Sequence, residues 1–534
     1  MGKKEFGDFQ TPPELAEALV KRLGPIGGRW ARVLEPTCGR GNFLRAVLDS
    51  PHPPREAIGI ERQSAYCNEA RAALNGRATI LEADLFGVDL SRLPWSGDGP
   101  ILIVGNPPWV TSAELGRLGS LNLPAKRNVK GLEGLEARTG SANFDLGEAV
   151  WLKLLAKLSD QPATIALLCK SAVARAVLDH ARRLETPITA ELIEIDARRW
   201  FGAAVSACFL ILALGRSNPT GRIAVFPNLE ATAPVRTMGV VRGRFATDYE
   251  TALAHEDALG GCPREWRQGV KHDAAPVVEL TADGPGGPLR NGLGEVVDVE
   301  PEWLYPLVKG ADLKRPARER PRRALIVTQR KLGDDTTAIA TEAPRLWAYL
   351  NAHADRFARR RSSIYDGRPP FAMFGIGPYS FAPYKVAVAG VHRPARFRAV
   401  GLVAGKPIVL DDTCYLLPCS TAAEAAVLAA LGNDPITLEL LRAFAAPGSK
   451  RPVTKAVLQA IDPTAVLRMA DRRAVVARGV ETLVEDLQSL ETNPEAMIES
   501  AIESLAPLLS PSGDPTLGRF DPESEPPHRS DEET

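Results

Sequence analysis

The sequence predicts an α/β protein: a doubly wound, mostly parallel sheet in its first part, followed by a domain of mixed α and β. Three observations predict it. Short apolar runs alternate with helical stretches through about residue 225. A glycine-rich turn follows the first strand-like run. After about residue 226 the alternation gives way to a segment rich in Gly, Pro, Thr and Asp.

The first element is a helix over 13–23, with Leu15, Leu19 and Leu23 on one face. Thr11 and Glu14 have capping-box spacing at its start, and Pro12 suits the first turn. Strand-like runs follow at 32–35 (RVLE), 57–61 (AIGIE), 78–81 (ATIL), 100–104 (PILIV), 163–169 (ATIALLC), 191–195 (ELIEI) and 205–213 (VSACFLILA). Helices lie between most of them, for example over 65–74 and 145–158. Parallel strands need such crossovers. Beyond the irregular segment, strands are expected at 324–328, 385–389 and 408–417, and helices at 343–361, 421–431, 454–460 and 471–490. From Ser510 the chain is Pro, Ser, Gly and acid, with almost nothing apolar after Phe520, which reads as a disordered acidic tail. The boundaries read as 1–228, 229–300 (a linker or irregular start), 301–505 and 506–534. There is no internal repeat.

Composition excludes several classes. The 534 residues are 45% hydrophobic and 24% charged, which excludes global disorder and fibrous repeats. Lys+Arg 65 balances Asp+Glu 65, so any nucleic-acid surface must be local. Cys38, Cys67, Cys169, Cys208, Cys262, Cys414 and Cys419 are scattered with no C-x-x-C pair. No disulfide framework or metal site is expected, and a reducing bacterial cytosol fits. The first residues, MGKKEFGDFQTPPE, contain no apolar signal core, and no apolar stretch is long enough to span a membrane.

The chemistry is carried by two motifs. In Glu35-Pro36-Thr37-Cys38-Gly39-Arg40-Gly41-Asn42, a strand ends in an acid, a glycine turn follows and a helix starts. Gly39 and Gly41 let a ligand approach the backbone there. Glu61 ends the next strand, twenty residues after Gly41, where a carboxylate accepts from two ribose hydroxyls. Asp84 follows the third strand, within reach of an adenine amino group. Each acid alone reads as a solvated loop residue; together they point to a nucleoside-containing ligand. The second motif is Asn106-Pro107-Pro108-Trp109, directly after the strand ILIVG. An exocyclic aromatic amine is a poor nucleophile because its lone pair is delocalised into the ring. The Asn106 side-chain oxygen and the Pro107 carbonyl can each accept one amine hydrogen, drawing the nitrogen toward tetrahedral geometry. Positioning and electrostatics then suffice without a strong base. Trp109 would stack on the base, which must be flipped out of a duplex to reach the turn.

This ordered set resembles the adenine-N6 DNA methyltransferases of bacterial restriction–modification and related phage-defence systems, in the gamma-class order. Phe9-Gln10-Thr11-Pro12-Pro13 comes first, then EPTCGRGNFL, Glu61, Asp84 and NPPW, with a target-recognition domain last. The specific motifs cover about 1–225; a looser resemblance runs through 305–462, in LVKGADL, FGIGPYSFAPYKVAV, DDTCYLLP and RPVTKAVLQAIDP. The resemblance implies a Rossmann-like methyltransferase sheet over 1–228 and target recognition over 301–505. It implies S-adenosylmethionine as methyl donor and no metal, with Thr11, Glu35, Gly39, Gly41, Glu61, Asp84 and Asn106 around the donor. It implies double-stranded DNA as substrate, and a separate restriction endonuclease or defence proteins as further partners. A second aromatic wall for the base falls to Phe201, in the turn before VSACFLIL. Trp109 stands where Tyr or Phe is more usual, and Trp also occurs in cytosine-N4 enzymes, although those more often carry Ser at the Asn106 position. Cytosine-N4 or ribosomal-RNA methylation, glutamine methylation, and a non-catalytic DNA-binding module stay open as alternatives.

Cytosine-C5 chemistry would need a nucleophilic Cys after a Pro in the first domain, and the candidate pair, Pro418-Cys419, lies in the second. A third signal is local positive charge. Lys314, Arg315, Arg318, Arg320, Arg322, Arg323, Arg330 and Lys331 fall within one short stretch, and Arg356, Arg359, Arg360 and Arg361 form a second cluster. A basic run is often only a solvated face. In a domain expected to read DNA, phosphate contact is the expectation for Lys314, Arg315, Arg318, Arg320, Arg322, Arg323, Arg359, Arg360 and Arg361.

Overall fold

A computed structural model of the chain describes residues 10–110, 145–215, 221–284, 287–446, 449–489 and 492–508. Phe9 and the acidic tail beyond Leu508 lie outside the described residues. The chain divides into two compact units whose boundary in sequence falls between Glu250 and Thr251.

The first unit is a ten-stranded sheet with helices packed on it. Its elements in chain order are α1 (Pro13–Leu23), β1 (Arg32–Glu35), α2 (Asn42–Leu48), β2 (Glu56–Glu61), α3 (Ser64–Leu74), β3 (Thr79–Glu82) and β4 (Ile101–Gly105). Then follow α4 (Leu146–Leu158), β5 (Ala163–Lys170), α5 (Ser171–Arg183), β6 (Ile188–Ile195), α6 (Ala197–Phe201), β7 (Ala207–Leu214), β8 (Ile223–Phe226), β9 (Arg236–Val241) and β10 (Arg244–Ala246). The strand order is β10-β9-β8-β6-β7-β5-β4-β1-β2-β3. β3, β2, β1, β4 and β5 run parallel, while β7 lies antiparallel between β5 and β6. The apolar runs are continuous because both faces are covered: β4 and most of β5 are buried along their length. Leu34, Ile103, Ile165 and Leu210 pack on one face with Trp151 of α4 and Val177 of α5. Val33, Leu102 and Phe209 pack on the other with Leu19 of α1 and Phe43 of α2.

Two expectations change here. The sheet does not stop at residue 228, because β9 and β10 extend it to Ala246. The helix α1 is not capped by Thr11; Pro12 is its N-cap residue, no side chain supplies the cap, and Thr11 is buried.

The second unit contains a five-stranded and a four-stranded sheet. The five-stranded sheet joins Leu289–Arg290, Glu279–Ala282, Arg323–Ile326, Leu304–Val308 and Val409–Leu410. The other joins Arg267–Gln268, Cys414–Cys419, Tyr384–Ala389 and Phe397–Val400. Part of the segment 229–300 is therefore strand rather than irregular chain. The helix expected over 343–361 breaks at His353 into Pro344–Ala352 and Ala354–Ala358. The strand expected over 408–417 is split by a turn at Asp411, whose carboxylate accepts from the Thr413 hydroxyl at 2.6 Å and the Gly310 N–H at 3.2 Å. Among the described residues no helix is long and apolar enough to cross a membrane.

Candidate active site

The order of strands reverses between β1 and β4, and a crevice at the carboxyl ends of strands at such a point is where open α/β sheets place ligands. The predicted residues fall along this edge. The turn after β1 carries Gly39 at φ 49° and Gly41 at φ 80°, both left-handed, which glycine adopts without penalty. A Cβ on Gly39 would fall 2.6 Å from Gln10 Oε1, so the turn is pressed against the segment that leads into α1. The same Gln10 oxygen accepts from the Arg40 N–H at 3.3 Å, and the Asn42 side chain donates to the Thr11 carbonyl at 2.8 Å. Residues preceding the first helix are thereby tied to the glycine turn. Asn42 carries no chemical signature of its own beyond its place next to Gly41, and Gln10 was visible only as part of the Phe9–Pro13 segment.

Glu61 ends β2 and braces the same turn: its Oε2 accepts from Gly39 N–H at 2.9 Å and its Oε1 from Gln63 N–H at 2.7 Å. Glu35 is different. It is buried, Gly105 packs on its side chain, and its Oε2 accepts from Leu44 N–H at 3.3 Å. Burial pushes its carboxyl well above the usual range; the Leu44 bond opposes this and nearby Glu61 adds to it. Glu35 thus acts as an internal support of the turn. Asp84 caps the short turn Leu85–Gly87 by accepting from Phe86 N–H at 2.9 Å, and its carboxylate is half exposed 3.9 Å from Arg62.

Asn106, Pro107, Pro108 and Trp109 leave the carboxyl end of β4 without regular secondary structure, immediately after Gly105 at φ 156°. Trp109 is buried and meets Phe201, the last residue of α6, with ring centroids 5.1 Å apart and planes at 67°. The structure brings together the two aromatics that the sequence separates by nearly a hundred residues. Their edge-to-face packing leaves no slot for a third ring between them.

The residues present fit a nucleoside donor. Thr37 Oγ1 is buried in the glycine turn with no hydrogen-bond partner among the described residues, and the carboxylate of Glu61 stands beside that turn. Among the described residues, no group of three or more His, Cys, Asp and Glu is arranged to hold a metal ion. Cys419 is buried, which pushes its thiol up and away from nucleophilic use.

The basic clusters of the second unit divide. Arg320 is not a surface residue: it is 6% exposed and bonded to Asp486, which is 1% exposed. Arg360 also faces inward, with its guanidinium 3.6 Å from the Tyr365 ring centroid and donating to Ala372 O at 2.6 Å. Arg323 pairs with buried Asp312 at 2.5 Å. These three charges are committed within the unit, which corrects their assignment to phosphate contact. Lys314, Arg315, Arg318, Arg322, Arg359 and Arg361 are exposed.

The first unit is thus an open α/β sheet whose parallel strands flank a glycine turn, with an antiparallel β7 inserted beside β5. No protein-family model matches the chain. It is 34% identical over 467 residues to the type II methyltransferase M.NspV of Nostoc sp., covering 86% of this chain and 96% of that one. A shorter match, 30% identical over 145 residues, is to the type II methyltransferase M.TthHB8I of Thermus thermophilus, covering 27% of this chain and 30% of that one. Among solved structures, the type IIL restriction–modification enzyme MmeI in complex with DNA is similar at a TM-score of 0.50 and 13% identity, covering 95% of this chain and 72% of that chain. The chain belongs to the type II methyltransferases, the DNA methyltransferases of restriction–modification systems.

Proposed function

We propose that this protein transfers a methyl group from S-adenosylmethionine to the N6 amine of an adenine flipped out of duplex DNA, as the modification enzyme of a restriction–modification or phage-defence system. One observation carries the reading: Asn106-Pro107-Pro108-Trp109 emerges at the carboxyl end of β4, at the switch point shared with the glycine turn after β1. The donor, when bound, supplies an electrophilic methyl group on a sulfonium. Asn106 Oδ1 and the Pro107 carbonyl accept the two amine hydrogens and orient the nitrogen. Trp109 and Phe201 part to admit the base and stack on it. Tritium transfer from labelled donor to duplex DNA tests the reading, with RNA and protein substrates as competitors; label in DNA alone supports it, and label in either of the others refutes it.

Glu61 supplies the donor-side prediction. Its loss removes an acceptor for the ribose hydroxyls and also frees Gly39 N–H, so Glu61→Ala should weaken donor binding by about 1–3 kcal/mol. Calorimetry that finds the affinity unchanged would remove Glu61 from the donor site. On the DNA side, exposed arginines give affinity and salt dependence without sequence information. Replacing Arg359 and Arg361 with Ala, while leaving the inward-facing Arg360, should weaken binding to all duplexes alike. The log–log salt dependence should flatten by up to ~0.9 for each phosphate that is no longer neutralised. A changed methylation motif at an unchanged salt slope would show that these residues read bases.

A further inference from the structure

β5 holds the Asn106–Trp109 turn from two sides. Gly105, the last residue of β4, pairs with Leu167 of β5. Three residues on, Lys170 Nζ lies 3.0 Å from Asp145 Oδ2. Asp145 caps α4, its Oδ1 accepting from Gly147 N–H at 2.9 Å. The next residue, Leu146, donates its N–H to the Val110 carbonyl at 2.9 Å. The first turn of α4 also packs under the Pro108 carbonyl, which would lie 3.4 Å from a Cβ placed on Gly147. The turn is thus fixed at its start by the β4–β5 ladder and at its end by α4, and α4 is fixed to β5 by the ion pair. Asp145 is 8% exposed. Capping alone does not require its charge, because Asn caps a helix as well as Asp does. The charge and its lysine are therefore surplus to the cap.

We propose that Asp145 and Lys170 form a positioning pair for methyl transfer: by latching the first turn of α4 to the end of β5, they hold the Pro107 and Asn106 acceptors in register with the amine. The proposal rests on the reading of Asn106–Trp109 as the catalytic turn. Neither residue touches the reacting atoms; each acts through Val110 and Pro108.

The test is the single-turnover rate of methyl transfer in the full-length protein, at saturating duplex DNA and donor. Lys170→Met should slow transfer by up to ~100-fold, the cost of a displacement of about 1 Å in a reacting constellation. Donor and DNA dissociation constants should stay at wild-type values. Lys170→Arg, which restores the pair, should recover most of the rate. Asp145→Asn, which keeps the cap and loses the charge, should be slowed like Lys170→Met. If Asp145→Asn fails to fold, the Met and Arg variants at position 170 still decide. Wild-type transfer rates in Lys170→Met overturn the proposal, as does an Arg variant as slow as the Met variant. A loss confined to donor or DNA affinity also overturns it. Asn106→Ala run alongside separates the two readings: its activity would refute the catalytic turn, whereas an inactive Asn106→Ala with fully active Lys170→Met would refute only the latch.

Discussion

Asn106→Ala should lower the rate of methyl transfer by at least about 10²–10³-fold, the scale on which one preorganised hydrogen-bonding group aimed at a developing charge is felt. Donor affinity should stay near wild type. The amine needs two acceptors to become nucleophilic, and alanine leaves only the Pro107 carbonyl. On the proposed reading the donor is held by other residues, on the turn after β1 and at the end of β2. The signature is a fall in kcat and kcat/KM together, with donor binding intact, since the lost interaction matters only in the transition state. Loss of donor affinity equal to the loss of rate would move Asn106 from catalysis to cofactor binding.

The second large effect is on stability. Asp486 lies just beyond the helix Arg472–Glu485 and joins three segments of the second unit. Its Oδ1 lies 3.1 Å from Arg398 Nη1 and 3.2 Å from Arg320 Nη2, and its Oδ2 accepts from Ala399 N–H at 3.2 Å. Both arginine side chains are nearly sealed from water, at 5% and 6% exposure. Asp486→Ala removes the buried partner of both, leaving Arg398 only the half-exposed Glu485 at 3.5 Å, and should cost about 3–5 kcal/mol, the usual penalty for removing one partner of a buried pair. Replacing Asp486, Arg398 and Arg320 together by apolar residues of similar size should cost less than the single change, because no charge is then left buried. Urea denaturation, followed by hydrogen exchange of Phe397–Val400, measures both. A penalty below about 1 kcal/mol for Asp486→Ala would mean that water reaches the arginines in the native protein.

The same triad shows why parts of the molecule were not legible in sequence. Arg320 stands in a run of surface-like arginines, and its partner lies 166 residues away. Composition cannot tell an arginine facing DNA from one facing a distant aspartate. Strands β1, β2, β4 and β5 were legible because they are largely buried apolar runs ending in an acid, a glycine or a lysine. The β9–β10 hairpin was not. Its two-residue turn uses Arg242 at φ 48° and Gly243 at φ 75°, and an Arg in that position gives no turn signal of the Asn-Gly or Asp-Gly kind. The long helix expected over 343–361 is interrupted because the His353 ring bonds the Tyr349 carbonyl at 2.9 Å and the Glu295 carboxylate at 2.8 Å. That tertiary contact overrides local propensity. In the site, the residues at strand ends were visible because chemistry and strand periodicity coincide there. Asp145 and Lys170 were not, since a helix cap and a strand-end lysine are ordinary features until the fold puts them together.

Single-molecule sequencing of DNA from cells expressing the wild-type chain, set against cells expressing Asn106→Ala, reports base, position and motif together. N6-methyladenine at one fixed motif, absent with the Asn106 variant, is the result expected here. N4-methylcytosine at a fixed motif, or an unmodified genome in both strains, would contradict it.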